Sequence, residues 1–218
     1  MTCKAAAGPP IPDQAEFENM LMERHGPDLH QLFKKGRVAV AGLGGLGSHI
    51  ALALARSGVG HLKLIDFDRV NLSNIGRQAY NLEHLGRLKT EALEKIIKAV
   101  NPYLSIETSS LRLTESNMAE ELASWSLIIE AFDDPGTKAT LVEMVLSRLP
   151  EARIICGSGL AGLDRADLIG SRKISSRFFL CGDGKSEAEN GCGLMAPRVM
   201  VCAGHQANLA LRLLANLE

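Results

Sequence analysis

The stretch VAVAGLGGLGSHIALALA, residues 38–55, constrains this chain more than any other. A short apolar run meets a cluster of glycines, and the glycines open directly into a segment with helical spacing. Gly42, Gly44 and Gly47 fall in the pattern G-x-G-x-x-G. In a strand–turn–helix setting the first glycine permits the tight turn. The second lets backbone approach a phosphate, and the third lets helix pack close to strand. The start of the helix then offers unpaired N–H groups and a positive dipole to an anion, and Ser48 adds a hydroxyl. Asp66 ends the next apolar run, nineteen residues after Gly47, where a carboxylate can accept ribose hydroxyls. These residues predict a nucleotide site. Alone they lean towards a dinucleotide oxidoreductase, although ATP would fit as well.

The rest of the chain supplies a matching scaffold. The runs RVAVA (37–41), HLKLID (61–66), LSIETS (104–109), SLIIEA (126–131) and ARIICG (152–157) alternate with helical segments at 46–57, 86–100, 115–123 and 135–149. Such alternation predicts βαβ units, and VAVA and LIIEA suit strands buried on both faces. RKISSRFFLCGD predicts two short strands, a hairpin with Phe178 and Leu180 on one face, before a Gly-rich acidic loop over 181–193. APRVMVCAGHQANLALRLLANL reads as a closing helix with Pro197 in its first turn. A further helix over about 13–35 breaks near Gly26–Pro27. The expected fold is α/β: a Rossmann-like three-layer domain over 14–218, with a mainly parallel sheet and antiparallel strands at its C-terminal edge, behind a loose tail over 1–13.

Composition narrows the setting. A chain of 218 residues is long enough for one such domain with a real core. The net charge of −1 gives no electrostatic reason to expect nucleic acid or an anionic membrane as partner, and Lys34, Lys35 and Arg37 read as a solvated face. No apolar run reaches bilayer-spanning length, and MTCKAAAGPPIPD lacks the apolar segment of a secretory signal. Five unclustered cysteines, at 3, 156, 181, 192 and 202, with no CxxC pair, predict reduced thiols, a cytoplasmic location and no structural zinc.

The residues after Asp66 change the expected nucleotide. A redox Rossmann domain has no standard need for DFDRVNLSNIGRQ (66–78) and LGRLK (85–89). Asn74, Arg77 and Lys89 are predicted to converge above the glycine loop, and two fixed cations there suit a triphosphate. EAFDDPGTK places Asp133 and Asp134 at the same carboxyl edge, where a carboxylate beside phosphates suits Mg²⁺.

On GLGGLGS (42–48), ARSGVGHLKLIDFDRVNLSNIGRQ (55–78), LGRLKTEAL (85–93), NP (101–102), DD (133–134) and GLMAPRV (193–199), the chain resembles the ubiquitin-activating-enzyme-like adenylyltransferases. Within them it is similar to the short, single-domain ThiF-like branch of thiamine biosynthesis, closely over 36–138 and loosely elsewhere. The resemblance implies ATP-dependent adenylylation of the C-terminal Gly–Gly carboxylate of a ThiS-type, ubiquitin-like sulfur carrier, with release of pyrophosphate. It implies that Gly42, Gly44 and Gly47 line the nucleotide loop and that Asp66 holds the ribose. Asn74, Arg77 and Lys89 would hold phosphates, and Asp133 would bind Mg²⁺. It also implies a homodimer in which the partner lends an arginine, for which Arg24 is the candidate. The nucleophile is the substrate's own carboxylate, so positioning and electrostatics suffice without a protein base.

Other readings stay open on the sequence. The carrier can instead be of the molybdopterin type, and the 160–193 region is the expected contact. An NAD(P)-dependent oxidoreductase would not need Arg77, Lys89 or Asp133, whereas a non-catalytic ubiquitin-fold-binding module would be expected to have lost them. The family more often has Asn where Asp134 stands, and the two CxxC pairs of many relatives are missing. Cys181 and Cys192 flank the late loop but have no neighbouring motif to activate a thiol, while Cys156 and Cys202 read as core. Asp68 is expected to pair locally with Arg69 or Arg77, Gln78 to support the loop, and His49 and His205 to serve packing.

Overall fold

A computed structural model describes residues 11–187 and 193–218. Asp13 opens helix α1 (Gln14–His25) through a reciprocal capping box with Glu16. Gly26, at φ +81°, ends α1, and Pro27 starts α2 (Pro27–Lys35), so the break falls where the sequence places it. The sheet has seven strands: β1 (Arg37–Ala41), β2 (His61–Ile65), β3 (Ser105–Ser109), β4 (Leu127–Glu130), β5 (Arg153–Gly157), β6 (Gly170–Lys173) and β7 (Phe178–Gly182). Their order is β3-β2-β1-β4-β5-β7-β6. All pairings are parallel except β6 with β7, so the antiparallel edge consists of one strand.

Strand residues alternate between the faces with period two. Val38, Val40, Leu64, Ile129, Ile155 and Phe179 point to one side, where α3 (Gly45–Arg56), α4 (Lys89–Val100) and α7 (Ala196–Leu214) cover them. Ala39, Ala41, Ile128 and Ile154 point to the other, under α5 (Met118–Leu122) and α6 (Pro135–Arg148). On β7, Phe178 and Leu180 share the second face while Phe179 and Cys181 share the first, as the alternation requires. Helices α3 and α7 lie side by side. Val199 packs at Gly45 near their starts, and Leu214 packs at Gly36, just before β1.

Two helices are shorter than their apolar spacing suggests. The segment predicted from 86 becomes helical only at Lys89, because Gly86 sits at φ +81° and an isolated bridge pairs Leu88 with Arg69. The segment predicted from 115 starts at Met118, because Asn117 turns its side chain back to Thr114 N–H and the Arg112 carbonyl. Among the described residues no helix is long and apolar enough to cross a membrane.

The chain goes from β1 to β2 on one side and reaches β4 on the other. The order therefore reverses beside β1, and open α/β sheets bind ligands at the carboxyl ends of the strands flanking such a reversal. Leu54, in the last turn of α3 and fully buried, anchors that helix against the sheet. Leu54→Ala is expected to cost about 2–5 kcal/mol in chemical denaturation; a loss below about 1 kcal/mol would mean the core closes around the cavity.

Candidate nucleotide site

The glycine loop spans the end of β1 and the start of α3, and two of its glycines are sterically obligatory. Gly42 has φ +93°, and a Cβ there would lie 2.7 Å from the Ala131 carbonyl oxygen. A Cβ on Gly47 would lie 1.9 Å from the Gly42 carbonyl oxygen. Gly44 has only the Gln78 amide nearby, at 3.9 Å, which leaves the backbone open for close approach of a ligand. Ser48 does not face that opening. It is fully buried, donates to the Gly44 carbonyl at 2.6 Å and accepts the Ala79 N–H at 3.1 Å, so it braces the loop from behind.

Asp66 stands directly after β2 and is buried. One carboxylate oxygen accepts the Leu43 N–H at 2.7 Å, and the other accepts the Asp68 N–H at 2.8 Å. Lys89 Nζ lies 3.6 Å from Asp66 and 2.7 Å from Asp68. Asp68 thus pairs with Lys89, not with Arg69 or Arg77. Arg69 instead donates to the Gly86 carbonyl and Arg77 to the Ser73 carbonyl, each at 2.9 Å. The reason is tertiary: the excursion from 66 to 89 folds back until Lys89 N–H reaches the Asp68 carbonyl.

Asn74 is buried at the base of that excursion. Its side-chain oxygen accepts the Asn71 N–H and its carbonyl accepts the N–H groups of Arg77 and Gln78, leaving the amide nitrogen as the group for a ligand. Arg77 lies against Gly45, with His49 Nε2 at 3.2 Å from its carbonyl oxygen. Its Nε and the Gln78 Oε1 are buried without hydrogen-bond partners among the described residues. A buried guanidinium N–H left unpaired beside a glycine loop is suited to an anionic oxygen. Tyr80 donates to the Leu43 carbonyl at 2.9 Å and ties the loop to the excursion; burial, then Asp66 and Asp68, push its hydroxyl far above the usual tyrosine range.

The Asp133 turn completes the edge. Phe132 Cδ1 lies 3.2 Å from the Cβ position of Gly42, so the turn presses on the loop. Asp133 is exposed. Asp134 caps α6: its carboxylate accepts both the N–H and the hydroxyl of Thr137 at 2.6 Å, which lowers its pKa. Arg24 is exposed on α1, a helix whose Leu21 packs at Gly58, just before β2. It therefore belongs to the amino edge of the sheet, opposite the glycine loop.

Sequence reasoning passed over two ion pairs, one of them buried on both sides. Glu130 and Lys138 lie behind the Asp133 turn with 2.7 Å between their charged atoms. The one signal was a carboxylate in the otherwise apolar run SLIIEA. Burial pushes the Glu130 carboxyl up, against the opposing pull of Lys138 and the Phe132 N–H. Arg198, in the first turn of α7, reaches Asp183 at 2.6 Å and the Arg165 carbonyl at 3.1 Å. The buried thiols are not activated. Burial raises Cys181 and raises Cys202 to about 12, and burial, then Glu130, raises Cys156. Cys192 lies outside the described residues.

A fold with this edge has recognisable relatives. The ThiF family model matches residues 17–218, so the chain belongs to the ThiF family. A sulfur carrier protein adenylyltransferase of Thermus thermophilus is 34% identical over 120 residues, covering 55% of this chain and 44% of that protein. A molybdopterin-synthase adenylyltransferase of Salmonella typhimurium is 29% identical over 191 residues, covering 85% of this chain and 76% of that protein. The crystal structure of the E. coli tRNA N6-threonylcarbamoyladenosine dehydratase in complex with ATP superposes with a TM-score of 0.84 at 22% identity, over 95% of this chain and 98% of that one. The last likeness concerns the fold. The chain spans less than half the length of the Thermus relative.

Desolvation would raise the Asp183 carboxyl, but hydrogen bonds from Ser186, the Lys185 N–H and Arg198 together hold it well below its ordinary value of 3.8. A depressed carboxylate stabilises the fold above its unfolded pKa and loses that contribution as pH falls. Asp183→Asn should therefore lower the urea midpoint most above about pH 4, with the gap to wild type closing towards lower pH. A gap independent of pH would show that the charge is not what holds this loop.

Proposed function

We propose that this protein is an ATP-dependent adenylyltransferase that activates the C-terminal Gly–Gly carboxylate of a ubiquitin-like sulfur carrier of the ThiS type. The observations that carry the reading are Arg77, packed at Gly45 with a buried unpaired Nε, and Lys89, 3.6 Å from the Asp66 carboxylate that accepts the Leu43 N–H. Gly42, Gly44 and Gly47 would pass around the phosphates and Asp66 would take the ribose. Asn74, Arg77 and Lys89 would hold the phosphates and offset the charge that develops when the carrier carboxylate attacks the α-phosphate and pyrophosphate leaves. Lys89 would exchange its Asp68 partner for phosphate oxygens.

Asp133 fits a Mg²⁺ partner in kind: an exposed hard-oxygen donor at the phosphate edge, where this ion takes one or two carboxylates plus phosphate oxygens and water. The described residues hold no cluster of three or more acidic, His or Cys side chains that would form a complete metal cage. When bound, the ion would neutralise phosphate charge, and Asp133 would orient it.

A carrier surface is available beside the same edge. A groove of about 360 Å³ runs from Pro135 past Ala139 and Val142 to Phe178 and Leu180, within reach of the Asp133 turn. Its two β7 residues belong to the 160–193 region singled out from the sequence. A homodimer would explain how Arg24, at the far edge of its own sheet, serves a site: it would serve the partner's. Free Cys156, Cys181 and Cys202 accord with a cytoplasmic setting. A molybdopterin-type carrier presents the same Gly–Gly chemistry, and the Salmonella relative's name keeps it as the alternative.

Carrier-dependent ATP–pyrophosphate exchange tests the reading, with ThiS-type and molybdopterin-type carriers each set beside a version lacking the Gly–Gly tail. Exchange should need the intact tail, and the preferred carrier identifies the pathway. Arg77→Ala or Lys89→Ala should lower exchange by about a hundredfold or more with the fold intact. ATP binding without exchange on any carrier would overturn the proposed reaction.

A further inference from the structure

Glu130 is the last residue of β4, and its side chain is fully buried. One oxygen accepts the Phe132 N–H at 2.7 Å, and the other lies 2.7 Å from Lys138 Nζ. Lys138 stands in the first turn of α6 and also donates to the carbonyl of Gly157, the last residue of β5, at 2.7 Å. The pair thus joins the end of β4, the start of α6 and the end of β5. Glu130 is fully buried and Lys138 partly exposed, and the cost of taking the carboxylate out of water offsets much of what such a pair gains. An apolar side chain at 130 would suit the strand, but it would leave the Phe132 N–H without this acceptor.

What the pair secures is the path of residues 131–133. The Ala131 carbonyl oxygen lies 2.7 Å, and Phe132 Cδ1 3.2 Å, from the Cβ position of Gly42, so the turn has no slack against the glycine loop. The next residue is Asp133. Asp134 is engaged by Thr137, so of the two carboxylates Asp133 is the one left for a ligand. We propose that Glu130 and Lys138 are a positioning pair that fixes the Asp133 carboxylate relative to the glycine loop and so sets the response of nucleotide binding to Mg²⁺. The inference rests on the reading of this edge as a Mg²⁺-nucleotide site. Neither residue is required to touch the nucleotide.

The test is calorimetric titration of the full chain with a non-hydrolysable ATP analogue, with and without Mg²⁺. Wild type is compared with Lys138→Met, Lys138→Arg, Asp133→Ala and the double variant Glu130→Gln/Lys138→Met. The double variant leaves no buried unpaired charge and guards against misfolding of Lys138→Met. Both Met-bearing proteins should lose at least about tenfold of the tightening that Mg²⁺ gives, while metal-free affinity stays within about threefold. Lys138→Arg should recover most of the loss. If Asp133→Ala removes the Mg²⁺ effect but the folded double variant keeps it, the positioning role is overturned and the site reading stands. If the double variant weakens binding equally with and without Mg²⁺, the pair is a general structural support and the proposal is likewise overturned. If Asp133→Ala leaves the Mg²⁺ effect intact, both readings fall.

Discussion

The Asp66 carboxylate holds the glycine-loop edge of the sheet together. Its two oxygens accept the Leu43 and Asp68 N–H groups, and Lys89 stands 3.6 Å away. The first bond fixes the glycine loop to the end of β2. The second starts the 66–89 excursion, and the Lys89 pairing closes it. Hydrogen bonds to an ionised carboxylate are shorter and stronger than neutral ones, and here they form where water is largely excluded. Tyr80 adds an independent tie by donating to the Leu43 carbonyl. Without Asp66 the loop and the excursion would lose their charged link, and Arg77 and Lys89 would be less firmly placed relative to the glycines.

The same edge is built from polar groups that an ordinary core would exclude. Glu130 and Lys138 lie behind one side of it, and Asp183 and Arg198 behind the other. Both pairs start or end regular elements: Glu130 closes β4, Lys138 and Arg198 open helices, and Asp183 comes directly after β7. Each pair satisfies backbone groups where strand or helix ends leave them free. Most of the sheet's middle is apolar on both faces; the exception is Lys63, buried in the middle of β2 and paired with Glu107 and Glu121. The protonated, buried thiols of Cys156, Cys181 and Cys202 belong to that apolar interior, with burial as the first cause of each raised pKa.

Much of the fold was legible in the sequence because it rests on local rules. Strand alternation, helical spacing, the Gly26–Pro27 break and the hairpin before the closing helix depend on neighbours within a few residues. One error was local, where Asn117 turns back to Thr114 and delays α5; the others fell where long-range contacts override the pattern. The helix expected from 86 begins only at Lys89, because Gly86 turns at φ +81° and Leu88 pairs with Arg69, distant in the chain. Ser48 occupies a ligand-facing position by motif, yet the return of the chain at Ala79 claims its hydroxyl. Asp68 had two basic neighbours in sequence and chose a third residue that folding delivered.

By itself the sequence determined the glycine turn, because Gly42 and Gly47 occupy positions where any Cβ would meet backbone, and that requirement shows as one residue type at a fixed spacing along the chain. It also determined which acids and cations stand in the glycine-loop half of the chain. Only the tertiary structure decided which of them meet. Arg77 arrives at Gly45, Lys89 at Asp66, and the Asp133 turn at Gly42 because the excursion folds back and the strand order reverses beside β1. It likewise separated Asp133 from Asp134, adjacent in sequence, by giving one to solvent and the other to the start of α6. A residue's type limits the bonds it can make. Which bond forms depends on the partners that packing brings within about 3 Å, and spacing along the chain does not carry that information.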